Sequence, residues 1–207
     1  MKERPILFSG PMVRALLDGR KTQTRRVAKT FAPIEYNPHD DREYVLWHAG
    51  KTIARVPARN PHEESDLRMA SPYGEPGDRL WVRETFGLVT GNGVRVVYRA
   101  DAEQPPRVGY PDDPITDMKW TPSIYMRRQH SRITLAVTSV RVERVQAITC
   151  ADAIAEGIDG PKSTDKAYGW DPTDTFRDLW DSINGKRPSC SWDANPFVWV
   201  VGFEVMR

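Results

Sequence analysis

Residues 18–26, with the sequence DGRKTQTRR, bring cationic and hydroxyl side chains close together along the chain. Lys21 and Thr24 in this segment can act as a base and a nucleophile, because a threonine hydroxyl attacks effectively only after a base removes its proton. A lysine becomes such a base when burial and neighbouring guanidinium groups disfavour its charged form. Lowering the pKa of a lysine to near neutrality takes about 4 kcal/mol, because each pKa unit corresponds to about 1.4 kcal/mol.

The spacing of Lys21 and Thr24 sets a condition on the local backbone. Residues three apart on an ideal strand point to opposite faces, so a tight turn is needed to bring these two side chains together. A carboxylate in the same pocket would hold and relay the proton, but the spacing does not choose it among the 28 Asp and Glu residues. The alternative interpretation of the segment is a basic, solvent-facing strand edge that binds phosphate.

The elements that must position this segment follow from hydrophobic periodicity and capping residues. Ser9-Gly10-Pro11 opens a short helix that Gly19 ends, Thr149 caps a helix through Glu156, and Asp171-Pro172 caps another. Alternating apolar residues predict strands over 80–86, 94–98, 133–145 and 197–205. Strands of uneven length with a few short helices predict an α+β fold, with a sheet that curls on itself.

Two proline-rich stretches interrupt this pattern. Residues 31–79 contain six prolines and residues 101–123 contain five, with little periodicity in either. Neither stretch has the composition of an interdomain linker. We therefore predict a single domain over residues 1–207 with two irregular insertions.

The composition excludes several classes of protein. The chain has 207 residues, of which 39% are hydrophobic and 28% charged, which is typical of a globular domain. The longest apolar run, residues 197–201, is too short to cross a membrane, and the N-terminus does not resemble a signal peptide, so we expect a cytoplasmic protein without a membrane partner. No metal-binding, dinucleotide-binding or P-loop motif occurs, and we expect neither metal nor cofactor.

Positive charge is concentrated in two segments. Residues 1–30 hold eight basic and two acidic side chains, and residues 118–144 hold six basic and one acidic. If the segments meet in space, they form a surface suited to a phosphate backbone, with Trp120 and Tyr125 available for base stacking. The alternative is two separate solvated faces.

The segment Gly19 to Arg26 also resembles the G-x-K-x-x-T-x-R signature of ASCH domains, relatives of the PUA β-barrel. Three further landmarks occur in the order that this family shows. They are PGDRLWVR at residues 76–83, the acidic helix at residues 151–158 and the closing strand at residues 197–205.

The resemblance implies a PUA-like curled sheet or barrel with a cleft for RNA or a modified nucleoside. One group in the family hydrolyses 4-acetylcytidine with a Lys, a Thr and a Glu, which fall on Lys21, Thr24 and Glu156. Another group binds or cleaves RNA. The long insertions make this chain similar to the larger ASCH proteins that are common in bacteriophages and prophages, so its substrate is less closely implied than its fold.

Four further residues are candidates for substrate binding. Arg26, or a backbone N–H after Gly19, can stabilise an oxyanion, and Arg20 lies in the same basic segment. Glu84 is a rival carboxylate whose alternative role is to pair with Arg83 or Arg141. Trp81 is one of the tryptophans that can stack on a base; the others are Trp120, Trp170 and Trp192.

Three hypotheses follow for the function. The first is an amidohydrolase acting on the acylated exocyclic amine of cytidine or a related nucleoside. The second is an RNA-binding module or ribonuclease of phage or prophage origin that binds single-stranded RNA in a basic cleft. The third is a phage structural or host-interaction protein with a vestigial cleft.

Overall fold

The computed structural model describes residues 1–28, 71–91, 93–102, 119–160 and 169–206. Residues 44–48, 51–56, 107–108 and 116–117 are described by the pairing of their backbones alone.

The helices and strands confirm the predicted α+β class. In chain order they are β1 (Glu3–Leu7), α1 (Gly10–Leu17), β2 (Gln23–Val27), β3 (Tyr44–His48), β4 (Lys51–Val56), β5 (Arg79–Arg83), β6 (Phe86–Gly91), β7 (Gly93–Tyr98), β8 (Arg107–Val108), β9 (Thr116–Asp117), β10 (Thr134–Arg144), α2 (Cys150–Ala155), α3 (Pro172–Asn184) and β11 (Phe197–Val205). Short 3-10 turns cover Ser123–Tyr125, Arg128–His130 and Val145–Ala147.

A five-stranded sheet in the order β1-β5-β10-β11-β2 forms the centre of the fold. β1 runs parallel to β5, and the other neighbours are antiparallel. β1 and β2 are therefore the two edge strands, and they do not pair with each other, so the described sheet is not a closed barrel. The two edge strands do come within reach of each other, because the Arg26 guanidinium of β2 donates a hydrogen bond of 2.6 Å to the carbonyl oxygen of Leu7 on β1.

β11 contributes side chains to the hydrophobic cores on both faces of this sheet. Val198 and Val200 pack with α2 and α3, whereas Trp199, Val201 and Phe203 pack with α1 and β1. Alternate residues of a strand point to opposite faces, and a strand covered on both faces is apolar almost throughout. The run FVWVV at residues 197–201 has this pattern.

The predicted caps are present at two helices. The Thr149 hydroxyl accepts a hydrogen bond from the Asp152 backbone N–H, and the Asp152 carboxylate accepts one from the Thr149 N–H, which makes a capping box at the start of α2. Asp171 caps α3 by accepting from the Thr173 N–H at 2.7 Å. The spacing of the apolar residues Met12, Val13, Leu16 and Leu17 predicts that all four lie on the buried face of α1. Leu17 is instead 49% exposed.

Both proline-rich stretches contain strands, so the expectation of wholly irregular insertions is wrong for these backbone segments. β3 pairs with β4 inside the first stretch, and β8 pairs with β9 inside the second. Most of the remaining residues of the two stretches lie outside the described residues. No helix in the described part of the chain is long and apolar enough to span a bilayer.

Asp78, just before β5, ties the N-terminus to the turn at residues 71–78. Its carboxylate accepts hydrogen bonds from the Lys2 backbone N–H at 2.6 Å and from the Arg4 guanidinium at 2.9 Å. These hydrogen bonds, with that from the Glu75 N–H, lower the pKa of Asp78 from 3.8 to about 2.

We expect the Asp78 contacts to stabilise the fold above pH 4 and to be lost as the pH falls towards 2, because a depressed carboxyl pKa favours the folded state only while the group is ionised. The measurement is the urea midpoint of the natural protein and of Asp78→Asn between pH 7 and pH 2. The two midpoints should differ at pH 7 and converge near pH 2. A difference that stays constant over this range would contradict the assignment.

Candidate active site

A tight turn directly before Lys21 connects α1 to β2. Gly19 adopts a left-handed conformation with φ 73°, and the backbone N–H groups of Arg20 and Lys21 both donate to the carbonyl oxygen of Ala15. The Thr22 N–H then donates to the carbonyl of Ala155 at the end of α2. The turn is therefore fixed to both helices, and it directs Lys21 towards the C-terminal end of α2.

Lys21 and Glu156 form a buried ion pair. Lys21 Nζ lies 3.0 Å from Glu156 Oε2 and donates a second hydrogen bond, of 2.6 Å, to the Glu156 carbonyl oxygen. Lys21 is 2% exposed and Glu156 is 4% exposed. The structure thus brings together two residues 135 positions apart in the sequence, both of which the resemblance implies for catalysis.

Burial is the largest influence on the pKa of Lys21 and lowers it below the usual lysine value of 10.5. Contact with Glu156 opposes this shift, while the positive charges of Arg26 and Arg25 add to it. The net direction is the one that a base needs, because a lower pKa increases the fraction of neutral amine near neutral pH.

Gly157 shapes the helix end against which Lys21 packs. It follows Glu156 with φ +85°, and a Cβ atom there would lie 2.9 Å from Ala15 Cβ and 3.1 Å from Lys21 Cβ. Both distances are shorter than ordinary van der Waals contact. The absence of a side chain at position 157 therefore allows α1, Lys21 and the end of α2 to meet.

We expect Gly157→Ala to lower the stability of the protein more than Gly77→Ala does. Gly77 has a similar φ of +92° but nothing within 4 Å of a Cβ placed there, so it controls for the left-handed backbone alone. That backbone strain costs about 1–2 kcal/mol at either glycine, and the contacts with Ala15 and Lys21 add to it at position 157. Urea unfolding of both variants measures the difference, and equal losses would contradict the packing role.

Thr24 lies on β2 beside Val201 of β11 and is 3% exposed. It lines a cavity of about 670 Å³ together with Lys21 and Glu156. A cavity of this size is within the range of small-molecule sites. No hydrogen bond engages the Thr24 hydroxyl among the described residues. The three residues implied for catalysis therefore line the same cavity.

Residues of both edge strands, β1 and β2, line the cavity. Phe8, the residue that follows β1, also lines the cavity, and its ring centroid lies 5.5 Å from Lys21 Nζ and 5.1 Å from the Arg26 guanidinium carbon. Arg26 also lines the cavity, and so does Tyr73, whose pKa is raised by burial. One side of the site is therefore an aromatic and cationic wall.

Helix α3 also lines the cavity, although the sequence did not indicate that it lies at the site. The stripe of apolar residues on α3 indicates only that this helix packs against a core. Phe176 and Trp180 do pack in a core cluster with α2 and β11. The same helix also supplies cavity-lining residues, namely Phe176, Leu179, Trp180, Ile183 and Asn184. Among the described residues, Trp180 is the tryptophan that lines the cavity, and it was not among the four candidates.

Three of the four residues predicted to bind substrate, namely Arg20, Trp81 and Glu84, do not line this cavity. The exposed Arg20 side chain pairs with Asp159 and, at 3.0 Å, with Asp18. Trp81 is buried in a cluster with Phe86 and Met126, and the Arg83 guanidinium stacks on it. The backbone N–H that follows Gly19 is also engaged, since it donates to Ala15. Arg26 is the oxyanion candidate that does line the cavity.

Glu84 is buried, but its partner is neither Arg83 nor Arg141. Both of its carboxylate oxygens accept hydrogen bonds from Arg132, at 2.9 and 3.0 Å, and Arg132 also binds Asp101. Burial raises the pKa of Glu84, and Arg132 opposes that shift. Glu84 lines a second cavity of about 400 Å³, which shares Ser9 and Thr85 with the first.

Most of the arginines in the two basic segments are neutralised by acidic neighbours, which weakens the expectation of a broad basic surface. The segments do meet, because Arg128 pairs with Glu3 at 2.9 Å. The arginines with carboxylate partners are Arg4, Arg20, Arg25, Arg128, Arg132 and Arg141. In the part of the chain that the structure describes, no group of three or more His, Cys, Asp or Glu residues is arranged to hold a metal ion.

No protein-family model and no curated protein matches this chain. Among solved structures, the chain is similar to protein EF3133 from Enterococcus faecalis V583, whose crystal structure carries the family description DUF984. The TM-score is 0.41 with 10% sequence identity, and the match covers 100% of this chain and 80% of that chain. A likeness at this level carries no argument about fold or function.

Proposed function

We propose that the protein is an amidohydrolase that removes an acyl group from the exocyclic amine of cytidine or a related modified nucleoside, on an ASCH-type, PUA-like fold. The observation that carries the proposal is the buried Lys21–Glu156 pair on the wall of a cavity that Thr24 also lines. A base, a nucleophile and a carboxylate in one partly dry cavity are the groups that acyl transfer through a threonine ester needs.

The first half of the proposed reaction transfers the acyl group to the enzyme. Neutral Lys21 accepts the hydroxyl proton as Thr24 Oγ1 bonds to the acyl carbonyl carbon. Arg26 stabilises the negative charge that develops on the carbonyl oxygen. The tetrahedral intermediate then breaks its C–N bond, and the Lys21 ammonium, held by Glu156, gives its proton to the leaving amine. Cytidine departs and the acyl group remains as an ester on Thr24.

The second half regenerates the enzyme with water. Lys21 is neutral again after the first half, so it can take a proton from a water molecule that attacks the ester carbonyl. Collapse of this second intermediate breaks the bond to Thr24 Oγ1, which recovers its proton from Lys21. The sum of the two halves is one amide and one water converted to one amine and one carboxylic acid.

Incubation of the protein with 4-acetylcytidine tests the proposal directly. We expect cytidine and acetate to appear in equal amounts, with many turnovers per enzyme molecule, as followed by liquid chromatography. The rate should rise with pH as Lys21 loses its proton and becomes able to act as the base. Absence of cytidine at enzyme concentrations equal to the substrate would contradict the proposal.

The alternative, an RNA-binding module or ribonuclease, makes a different prediction. Binding of single-stranded RNA through phosphate contacts weakens steeply with salt, by nearly one unit of logarithmic slope for each contact. Extensive pairing of the arginines with carboxylates argues against many such contacts. The two hypotheses separate when RNA affinity between 50 and 200 mM salt is measured beside hydrolysis of the nucleoside, because a steep slope without hydrolysis favours the alternative.

A further inference from the structure

A buried arginine lies directly behind the Lys21–Glu156 pair. The Arg25 side chain has 0% exposure, and its Nη1 lies 3.4 Å from Glu156 Oε1. Lys21 Nζ lies 3.0 Å from the other oxygen of the same carboxylate, Oε2. The Glu156 carboxylate is therefore shared between two buried cations, one at each oxygen.

The far side of Arg25 is fixed by two other acids. Arg25 Nη2 lies 3.1 Å from Glu143 Oε2 on β10 and 3.2 Å from Asp152 Oδ2 on α2. Asp152 is held in turn by Gln23, whose side-chain amide donates to its carboxylate at 3.0 Å. Arg25 Nε is buried without a hydrogen-bond partner among the described residues. The orientation of the guanidinium is therefore set by its two terminal nitrogens.

We propose that Arg25 is a positioning residue for the Lys21 base, because it holds Glu156 Oε1 and leaves only Oε2 to the lysine. The inference rests on the proposed function of the cavity. A carboxylate that is shared with a second cation stabilises an ammonium less than a carboxylate reserved for it, and the charge of Arg25 adds repulsion. Arg25 thus favours the neutral amine, which is the form that accepts the proton of Thr24.

The fork shape of a guanidinium is what this role requires. One terminal nitrogen binds Glu156 while the other binds Glu143 and Asp152, and a lysine ammonium cannot make both sets of contacts from one position. The two outer acids are closer to Arg25 than Glu156 is. An ammonium at position 25 would therefore stay with Glu143 and Asp152 and leave Glu156 to Lys21.

Other charged and titratable groups surround the pair on every side and remain in place when Arg25 is replaced. Arg26 lies on the same strand, and Arg141 binds Glu143 and Asp152 from the exposed side. The further groups that line the cavity are Tyr73 from the turn before β5 and Arg187 after α3. A change in the titration of Lys21 on replacement of Arg25 alone therefore reports the contribution of Arg25.

The test combines NMR titration of 13C-labelled lysine with the pH profile of kcat/KM for 4-acetylcytidine. Lys21→Arg assigns the Lys21 signal. In Arg25→Gln we expect the pKa of Lys21 measured by NMR and the pKa of the acidic limb of the kcat/KM profile to rise together by about one unit. In Arg25→Lys both should move upward by a smaller amount. Arg141→Gln is the matched control, since it removes a cation from Glu143 and Asp152 but not from Glu156. In this variant the pKa of Lys21 and the pKa of the acidic limb should equal those of the wild type.

A folded Arg25→Gln variant whose Lys21 titrates as in the wild type would overturn the inference. If that variant does not fold, Arg25→Lys takes its place as the test. A Lys21 pKa in Arg25→Lys equal to that of the wild type would also overturn the inference. The NMR titration needs no substrate, so it still tests the role of Arg25 if 4-acetylcytidine is not hydrolysed. Failure of hydrolysis in the wild type would instead count against the proposed function.

Discussion

We expect Thr24→Val to lower kcat for hydrolysis of 4-acetylcytidine by at least about 1,000-fold, as removal of a nucleophile does in other acyl-transfer enzymes. Valine keeps the branched shape and β propensity of threonine but has no hydroxyl. The substitution should leave the strand intact, because no described residue donates a hydrogen bond to that hydroxyl or accepts one from it. The loss is therefore expected in the rate and not in the fold.

Thr22→Val is the matched control for this prediction. Thr22 is exposed and lies two residues before Thr24, and its described hydrogen bonds are made by its backbone. The same substitution there should leave the rate within about threefold of the wild type, as expected for surface changes. Mass spectrometry of the wild-type enzyme during turnover should also find an acyl group on Thr24. An active Thr24→Val enzyme would exclude a threonine ester.

The second large effect is expected at Lys21. Lys21→Met removes the amine but keeps an unbranched side chain of similar length, and we expect kcat to fall by about 100- to 10,000-fold, the usual contribution of a general base. Glu156 keeps a cationic partner in this variant, because Arg25 Nη1 lies 3.4 Å from its Oε1. The carboxylate is therefore not left unpaired in the protein interior.

Thermal unfolding and kinetics together check the Lys21 prediction. Lys119→Met is the control, since that lysine is exposed and does not line the cavity. Lys119→Met should keep both the wild-type rate and the wild-type Tm, while Lys21→Met should stay folded and lose activity. A Lys21→Met enzyme with the wild-type rate and pH profile would assign the proton transfer to another group.

Local patterns were sufficient to predict much of the secondary structure. The caps at Thr149 and Asp171 and the long strands at 134–144 and 197–205 depend on residues a few positions apart, so the sequence carries their signal directly. The predicted strand pattern did not reveal that the two edge strands lie within reach of each other. The contact that shows this joins Arg26 to Leu7, on opposite edges of the sheet.

The site was predictable only in part, for a similar reason. The short signature indicates Lys21 and Thr24, and the resemblance implies Glu156. The partner of Glu84 was missed because Arg132 lies 48 residues away and many other arginines are equally plausible. The α3 wall was missed because an apolar stripe that lines a cavity has the same spacing as one that packs in a core.

Arg25 shows where sequence reasoning was incomplete. Its position among other basic residues predicts an influence on the charge of Lys21, and the structure places it where it lowers the pKa of that lysine. Its contacts with Glu143, Asp152 and Glu156 join three elements, and no local pattern encodes such a set. The role of a guanidinium with two separate sets of contacts is visible only in the folded chain.

The pKa of Lys21 in the wild-type protein is the most direct test of the proposed mechanism, because each half of the reaction begins with a neutral amine at this position. It is measured by NMR titration of 13C-labelled lysine, with Lys21→Arg to assign the signal. The account predicts that Lys21 titrates at a lower pH than the exposed lysines and below the usual value of 10.5. A Lys21 that titrates at or above that value would contradict it, since the Glu156 contact would then be a structural ion pair.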